Sequence, residues 1–366
     1  MPQPRVIDLF CGAGGLSLGA YRAGFDVVGS IDFDQRAIGT HKLNFPKGTH
    51  LCAEVETISG ASLVGLAKGK TPDGIIGGPP CQGFSRMGAR QAGDPRNRLF
   101  WHFFRLIKET KPKFFIAENV IGLTDQQYKP LVNEALDLVR TEYDTLCSFA
   151  MCASSFGVPT KRQRVFFIGM RRDLAIEVKW TDFFPKKSTY TTVAEAFTGL
   201  PCRVRESWQT EAQSWRKVRS IDNEYTKIIN RQVKGVGEKH ALDRFDQRLV
   251  SGFLGTVHSE NVKHRYARLE QGKTDSISKA QRLKLDGQCP TLRAGTGPER
   301  GSYQAVRPIH PTEPRVITPR EAARLQGFPD WFVFPPTKWH SFRQIGNSVS
   351  PLVSEYILRK CRKVIE

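Results

Sequence analysis

Over the first 170 residues, short β-rich runs alternate regularly with helical patterns. The β-rich runs are RVIDLF, DVVGSID, DGIIGG, KFFIAENV, TLCSFAM and RVFFIGM. Helical patterns begin at about Leu16, near Asp34 and from Asn97, and a further one covers Leu131–Arg140. This alternation is typical of α/β folds, in which helices cover both faces of a parallel sheet. The sequence therefore predicts a doubly wound, mostly parallel sheet, with ligands at the carboxyl ends of its strands.

Two of these strands end in residues suited to a nucleoside. The run DLFCGAGGLSLG, residues 8–19, places a glycine-rich turn between the first strand and a helix, so a ligand can approach the backbone and the free N–H groups of the helix. The next strand ends at Asp32, whose carboxylate can accept both hydroxyls of a ribose. Phe33, beside it, can lie against an adenine ring. Together these residues predict a nucleoside cofactor at the carboxyl edge of the sheet.

A third strand end carries a cysteine on a stiffened backbone. Residues 77–85 read GGPPCQGFS, and Pro79 and Pro80 supply no N–H group to continue a strand. Cys81 is therefore expected at the same edge as the nucleoside site. Taken alone, a buried structural cysteine in a turn explains this pattern at least as well as a reactive thiol does.

The charge of the chain predicts a polyanionic partner without naming it. Lys and Arg number 55 against 36 Asp and Glu, which gives a net charge of +19. Residues 181–305 lose clear periodicity and contain 22 of these basic and 14 of these acidic residues. We predict one domain over residues 1–180, a smaller loop-rich domain with a basic surface over 181–305, and a returning segment over 306–366. A solvated insertion with no special role remains the alternative for the middle region.

Several function classes are disfavoured by what the sequence does not contain. The eight cysteines form no C-x-x-C pair, so neither a disulfide framework nor a zinc site is expected. No apolar stretch approaches the roughly 20 residues of a membrane span, and the first residues do not resemble a secretory signal. The expectation is an intracellular protein with reduced thiols and no metal. In ITPREAARLQ, Thr318 and Glu321 predict a capping box at the start of a helix.

The motifs taken together resemble the cytosine-5 DNA methyltransferase family, of the bacterial or phage type. They are D-x-F-x-G-x-G, PPCQGFS, ENV, R-x-R and GNSV, and they occur in the order typical of that family. The resemblance covers residues 5–170 and 306–357. Residues 181–305 correspond to the variable target-recognition region of the family and match only near CPTLRAGTG. The resemblance implies a Rossmann-like methyltransferase fold and methylation of duplex DNA in the cytoplasm, at the nucleoid.

The resemblance also assigns catalytic roles. It implies that the thiolate of Cys81 attacks carbon-6 of cytosine, which converts the ring into an enamine that can accept a methyl group at carbon-5. Glu118, in AENV, protonates or hydrogen-bonds ring nitrogen-3. Arg162 and Arg164, in PTKRQRVFFIG, hold the base oxygen and backbone phosphates, although a solvated strand edge would also explain them. Thr160 stands where the family usually has glutamine.

For the cofactor the resemblance implies S-adenosylmethionine, with S-adenosylhomocysteine as product and no metal. The implied contacts are Phe10, Cys11, Gly12, Ala13, Gly14, Gly15, Asp32, Phe33, Glu54, Val55, Pro80, Leu99, Asn347 and Val349. Asp32 replaces a usual glutamate, and Glu54 with Val55 replaces a usual Asp-Ile pair. Both changes keep a carboxylate and alter its reach by one methylene group.

For the DNA the resemblance implies a flipped cytosine, because a base inside a duplex cannot present carbon-6 to a thiolate. The expected DNA contacts are Gln82, Ser85, Arg96, Thr291, Leu292 and Arg293. The basic segment 82–98 fits a loop that closes over DNA, with an ordinary surface loop as the alternative. A monomer is expected, with a restriction nuclease or another defence system as an open partner. A transfer-RNA cytosine methyltransferase and a DNA-binding protein without catalysis remain the competing functions.

Overall fold

A mixed eight-stranded sheet organises the first half of the chain. The computed structural model describes residues 3–80, 98–147, 150–175, 178–219, 223–294 and 307–366. The strands are β1 (Arg5–Leu9), β2 (Asp26–Asp32), β3 (Thr49–Cys52), β4 (Gly74–Gly77), β5 (Phe114–Asn119), β6 (Tyr143–Cys147), β7 (Met151–Cys152) and β8 (Gln163–Arg171). Their order is β3-β2-β1-β4-β5-β8-β6, and β7 also pairs with β8. The first five in this order are parallel, whereas β8 is antiparallel to its neighbours.

Helices cover both faces of this sheet and continue through the rest of the chain. They are α1 (Gly15–Arg22), α2 (Gln35–Asn44), α3 (Gly60–Leu66), α4 (Arg98–Thr110), α5 (Lys129–Asp137), α6 (Val193–Phe197), α7 (Glu211–Ser214), α8 (Glu224–Asn230), α9 (Lys239–Asp246), α10 (Glu260–Arg268), α11 (Pro319–Leu325), α12 (Lys338–Asn347) and α13 (Pro351–Ile365). A second, two-stranded sheet pairs β9 (Arg216–Lys217) with β10 (Leu249–Val250).

Two apolar cores lie on the two faces of the large sheet. On one face α3, α4 and α5 pack against the strands, with Phe103 and Phe104 fully buried. On the other face α1 packs against α13. These two helices approach closely at Gly19, where a Cβ atom would lie only 2.0 Å from Ser354 Oγ. The Ser354 hydroxyl donates to the Gly15 carbonyl at 2.9 Å, so the last helix of the chain is attached to the first.

A third core joins distant parts of the sequence. It combines Leu18 and Phe45 from the first region with Tyr225 from the middle region and Trp331 and Phe342 from the C-terminal segment. The middle region therefore packs on a core that it shares with both flanking parts of the chain. The predicted boundaries at residues 180 and 305 remain predictions.

The predicted fold class is confirmed, with local differences. The strand β2 has the bounds that the sequence suggested, and Thr318 caps α11 in a box with Glu321, since each accepts from the other's backbone N–H group. The short strand β3 was not predicted because THLC has neither alternation nor length. In the part of the chain that the structure describes, no helix is long and apolar enough to cross a membrane.

Candidate active site

The strand order places the predicted site residues along one edge of the sheet. The parallel strands β2, β1, β4 and β5 are neighbours, so their carboxyl ends lie side by side. The strand β8 runs the opposite way and therefore begins at this edge. We call it the carboxyl edge. Asp32 and Glu118 lie at the ends of two parallel strands, and Arg164 lies at the start of β8.

The glycine-rich turn at the end of β1 is held by Asp32. The Gly12 N–H group donates to Asp32 Oδ2 at 2.8 Å, and the Asp34 N–H group donates to Oδ1 at 2.9 Å. Phe10 and Gly12 both have positive φ angles, 58° and 54°, and the left-handed region is unfavourable for a side chain such as that of Phe10. Burial raises the pKa of the Asp32 carboxyl. One carboxylate thus fixes the turn and still offers lone pairs to a ligand.

Close packing beneath the turn explains its other glycines. A Cβ atom at Gly14, which has a φ of 95°, would lie 2.3 Å from the Phe45 ring and 3.0 Å from the His41 ring. At Gly15 it would lie 2.1 Å from the Val349 carbonyl oxygen. The buried Val349 therefore brings the GNSV motif from the far end of the chain against the turn. Cys11 and Ala13 are buried, and burial raises the pKa of the Cys11 thiol.

A buried polar chain under the turn was missed by the sequence analysis. The Ser17 hydroxyl donates to Asp8 Oδ2 at 2.6 Å, and Ser17 Oγ lies 3.0 Å from His41 Nε2. His41 Nδ1 in turn lies 2.9 Å from His50 Nε2. When Asp8 is ionised it accepts the Ser17 proton, and a neutral His41 then donates from Nε2 to Ser17 and accepts at Nδ1 from His50. Burial raises the pKa of Asp8 to about 7 and lowers the pKa of His41.

The remaining predicted cofactor residues surround this turn at different depths. Phe33 is 52% exposed, so its ring face is free for stacking. Glu54 is exposed and Val55 is buried behind it. Leu99 is half-buried in the first turn of α4, and Asn347 is exposed at the last residue of α12. An open glycine turn, a carboxylate and an exposed aromatic ring are the groups that an adenosine needs, so these residues fit the predicted cofactor.

Glu118 lies beside the turn that leads to the cysteine. Its Oε1 atom forms an ion pair with Arg164 Nε at 2.9 Å, and the carboxylate is almost completely buried. A Cβ atom at Gly78 would lie 3.3 Å from Glu118 Oε2. The Asn119 side chain donates to the Pro79 carbonyl at 3.2 Å. The Gly-Gly-Pro-Pro turn, with the half-buried Pro80, is thus attached to the end of β5. Cys81, Gln82, Ser85 and Arg96 lie outside the described residues.

The two arginines of the R-x-R motif occupy different environments. Arg164 faces Glu118 at the edge, whereas Arg162 is buried. The Arg162 guanidinium donates to the Leu292 and Asn347 carbonyls, each at 3.4 Å. It therefore joins three motifs that are far apart in sequence. The buried Thr160 hydroxyl, at the position of the usual glutamine, donates to the Leu325 carbonyl at 2.6 Å.

The CPTLR segment runs along this arginine motif. The Lys161 N–H group donates to the Cys289 carbonyl at 2.8 Å, and the Cys289 N–H group donates to the Pro159 carbonyl at 2.9 Å. The Thr291 hydroxyl donates to the Lys161 carbonyl at 3.1 Å. Leu292 is buried and Arg293 is exposed. The structure thus brings the predicted DNA contacts 291–293 next to the predicted base-binding arginines.

Comparison with known proteins assigns the family. The family model described as C-5 cytosine-specific DNA methylase matches residues 4–363. The chain belongs to this family. The resemblance noted from the motifs is confirmed, and the protein is a DNA cytosine-5 methyltransferase.

Individual relatives agree with this assignment. This methyltransferase is 40% identical over 365 residues to the type II methyltransferase M.XorII of Xanthomonas oryzae pv. oryzae, an alignment that covers 98% of this chain and 84% of that protein. It is 33% identical to the type II methyltransferase M.DdeI of Desulfomicrobium norvegicum, covering 97% and 88%. A prophage-encoded E. coli protein, solved as a candidate DNA modification methyltransferase, superimposes with a TM-score of 0.90 at 46% identity, covering 99% of both chains. The Dnmt2 methyltransferase of S. pombe, at 16% identity and a TM-score of 0.63, shares the fold.

Proposed function

We propose that this methyltransferase transfers a methyl group from S-adenosylmethionine to carbon-5 of a cytosine flipped out of duplex DNA, through a covalent adduct of Cys81. The observation that carries the proposal is the ion pair of the buried Glu118 with the partly exposed Arg164, beside the Pro79–Pro80 turn. A carboxyl group and a guanidinium are held there next to the turn that immediately precedes Cys81 in the sequence, on the same edge as the glycine-rich turn.

The chemistry follows from the weak nucleophilicity of carbon-5. Addition of the Cys81 thiolate to carbon-6 moves electron density to carbon-5, and a proton or hydrogen bond at nitrogen-3 from Glu118 stabilises the resulting enamine. After methyl transfer, water accepts the carbon-5 proton, the thiolate leaves carbon-6, and the proton on nitrogen-3 returns to Glu118, which restores the aromatic ring. Arg164 fixes the position of the Glu118 carboxyl. The cofactor, when bound, supplies an electrophilic methyl group on a sulfonium.

The residues of the carboxyl edge can hold that cofactor. Asp32 would accept the ribose hydroxyls, the exposed Phe33 ring would stack on the adenine, and the N–H groups of the turn at residues 11–15 would face the polar atoms of the methionine part. Glu54, Leu99 and Asn347 would close the pocket. Nothing lies within 4 Å of the Cβ position at Gly12, so the backbone is open to a ligand there.

Binding of duplex DNA would use the adjacent CPTLR segment. Thr291 and Arg293 would contact phosphates around the flipped nucleotide, and Gln82, Ser85 and Arg96 would approach it from the segment after Cys81. The buried Arg162 would act mainly by holding Leu292 and Asn347 in place. The naming of the relatives as type II methyltransferases supports a role in restriction-modification.

Bisulfite sequencing tests this proposal directly. DNA from cells that express the wild-type chain should contain methylcytosine at one recurrent sequence, and DNA from cells that express Cys81→Ser should not. Cys361→Ser, in a buried cysteine of α13 far from the edge, is the matched control and should retain methylation. Methylation of DNA by Cys81→Ser would refute the covalent mechanism.

A second measurement distinguishes the two competing functions. Methylation found in transfer RNA and not in DNA would replace the proposed substrate. Specific binding of duplex DNA without any methylation by the wild-type chain would identify a protein that has lost catalysis. An oligonucleotide with 5-fluorocytosine at the target should trap the wild-type chain covalently, because fluorine cannot leave carbon-5 as a proton does.

A further inference from the structure

A basic pocket lies at the opposite edge of the sheet, away from the candidate active site. It has a volume of about 420 Å³ and is lined by Arg22, Ala23, Gly24, Tyr356, Arg359, Lys360, Arg362, Lys363 and Glu366. The helix α1 begins at the glycine turn of the carboxyl edge and ends at Arg22, and Gly24 precedes the start of β2. At ~3.3 Å per residue, the seven residues of β2 separate the two edges by about 20 Å. We call this site the rear basic pocket.

The floor of the pocket is a buried arginine whose charge is incompletely compensated. Arg22 is only 6% exposed, and its Nη2 atom donates to the Ile229 and Arg231 carbonyls at 2.5 and 3.1 Å. Its Nε and Nη1 atoms are buried without a hydrogen-bond partner. Among the described residues, no carboxylate forms an ion pair with Arg22. Glu355 acts on Arg22 only at longer range and itself pairs with Arg231 and Arg359. A buried cation without a paired carboxylate is costly and favours an anion nearby.

The rim of the pocket adds more positive than negative charge. Arg362 lies across Gly24, donates to the Ala23 carbonyl at 3.1 Å and pairs with Glu366 at 2.6 Å. Lys360 lies 5.5 Å from the centre of the Tyr356 ring. Of the five cationic side chains in the lining, Arg359 pairs with Glu355 at 2.8 Å and Arg362 pairs with Glu366. Arg22, Lys360 and Lys363 form no ion pair with the described residues, so the pocket keeps an excess of positive charge.

We propose that the rear basic pocket binds a phosphate group, supplied by a nucleic-acid backbone or by a nucleotide. A phosphate offers several acceptor oxygens to converging guanidinium and ammonium donors, which is the arrangement that binds it most strongly. The pocket is large enough for a nucleotide. This site is separate from the proposed catalytic function, because none of its lining residues belongs to the carboxyl edge.

Titration of the full chain with inorganic phosphate tests the proposal. The measured quantity is the NMR chemical shift of the Gly24 backbone amide, which lies inside the pocket. Lys360→Gln combined with Lys363→Gln should weaken phosphate binding at least about tenfold, because the loss of even one charge-assisted hydrogen bond has an effect of that size. The control pair is Lys108→Gln with Lys129→Gln, exposed lysines on α4 and α5, and it should bind as the wild type does. Replacement of Lys360 and Lys363 by arginine should preserve binding.

Two further titrations identify the source of the phosphate. Binding of a 12-nucleotide single strand that exceeds the binding of adenosine monophosphate, and that is lost in the Lys360 and Lys363 variant, identifies a nucleic-acid backbone. Equal binding of the two identifies a nucleotide. An unshifted Gly24 amide, or equal affinities in the pocket variant and the control variant, would overturn the proposal.

Discussion

The sheet and the segments that follow it are stabilised in different ways. Against the sheet, α4 packs through aromatic rings, with Phe104 lying 5.4 Å from Phe103 and 5.3 Å from Phe115 between ring centres. The strands of the sheet satisfy their backbone N–H and carbonyl groups through hydrogen bonds to neighbouring strands. Two polar side chains of this region, Asp32 and Glu118, lie at one edge of the sheet, where a ligand can approach them.

In the middle and C-terminal regions, arginine side chains donate hydrogen bonds to backbone carbonyls that no neighbouring strand satisfies. Arg320 donates to the Ser251, Pro329 and Phe332 carbonyls, each at 2.8 Å. Arg324 donates to the Ala196 and Thr198 carbonyls and pairs with Asp330 in a fully buried ion pair at 2.7 Å. Arg282 donates to the Pro311, Tyr266, Ala267 and Leu269 carbonyls.

This difference shows what part of the positive charge is structural. Short, irregular segments leave carbonyl groups without partners, and a guanidinium with five donors can satisfy several of them at once. Arg282 therefore stabilises the loops of the middle region, and Lys263 and Arg265 pair with Glu206 and Asp275. The basic surface predicted for residues 181–305 has fewer unpaired cations than its composition suggests.

Among substitutions in the two regions, we expect the largest effect from one at the carboxyl edge, and we expect it on catalysis. Glu118→Gln should lower the single-turnover methylation rate by about 10²–10⁴-fold, because the acid at nitrogen-3 is lost. The unfolding midpoint should change little, since the sheet is stabilised by its apolar cores. Glu142→Gln, at an exposed pair with Lys111, is the control and should leave the rate unchanged. A large loss of stability with an unchanged rate would contradict the separation of edge and core.

The next effect concerns the arginines that hold the irregular segments. Arg324→Met should lower the free energy of unfolding by ~3–5 kcal/mol, because it leaves Asp330 buried without its partner. Lys111→Met, which breaks the exposed pair with Glu142, should cost only ~0–1 kcal/mol. Denaturant titrations measure both. Adding Asp330→Leu to Arg324→Met should recover part of the loss, and equal costs for the two single variants would contradict a structural role of Arg324.

The third prediction concerns pH and the buried chain under the glycine turn. The pKa of Asp8, about 7, is above its ordinary value of 3.8, so the folded protein binds the proton more tightly than the unfolded chain does. Stability should therefore fall as the pH rises from about 4 to about 7, by at most ~1.4 kcal/mol per pH unit, and the contribution should be constant above that range. Asp8→Asn should lose this dependence relative to the wild type in denaturant titrations across pH.

Ser17→Ala provides the counterpart to Asp8→Asn. The Ser17 hydroxyl stabilises the ionised Asp8, so its removal should raise the pKa of Asp8 further and extend the loss of stability above pH 7. If the free energy of unfolding of Asp8→Asn depended on pH as that of the wild type does, the titrating group would be a residue other than Asp8.

The smallest effect is expected at the contact between the CPTLR segment of the middle region and Lys161, which precedes β8 of the sheet. Thr291→Val removes the hydroxyl that donates to the Lys161 carbonyl and so holds the CPTLR segment in place. Because this segment is proposed to contact the DNA phosphates, the variant should weaken DNA binding by ~1 kcal/mol or less. If Thr291 assists base flipping, the loss should be greater on normally paired DNA than on DNA with a mismatch at the target cytosine, since a mismatch has already lost pairing energy. Fluorescence anisotropy with the two duplexes measures this, and equal losses would leave Thr291 a purely structural residue.

Sequence patterns were sufficient to predict the α/β class, the strands β1, β2 and β5, the order of the motifs and the family. These features are local, because strand alternation, a glycine-rich turn or a cap depends on residues only a few positions apart. The placement of Asp32 and Glu118 at one edge followed as well, since parallel strands end on the same side. The positions of these two residues relative to the glycine turn and to Arg164 agree with that expectation.

The contacts between distant segments could be read only from the folded chain. Arg162 contacts carbonyls at Leu292 and Asn347, and His41 completes the chain from Asp8 to His50, yet no periodicity links these positions. These contacts form because the third core packs distant segments together. Irregular loops in those segments leave carbonyls without partners, and buried donors then bind them. Such contacts are set by the whole fold, because the donor of an arginine can reach any nearby carbonyl regardless of sequence separation.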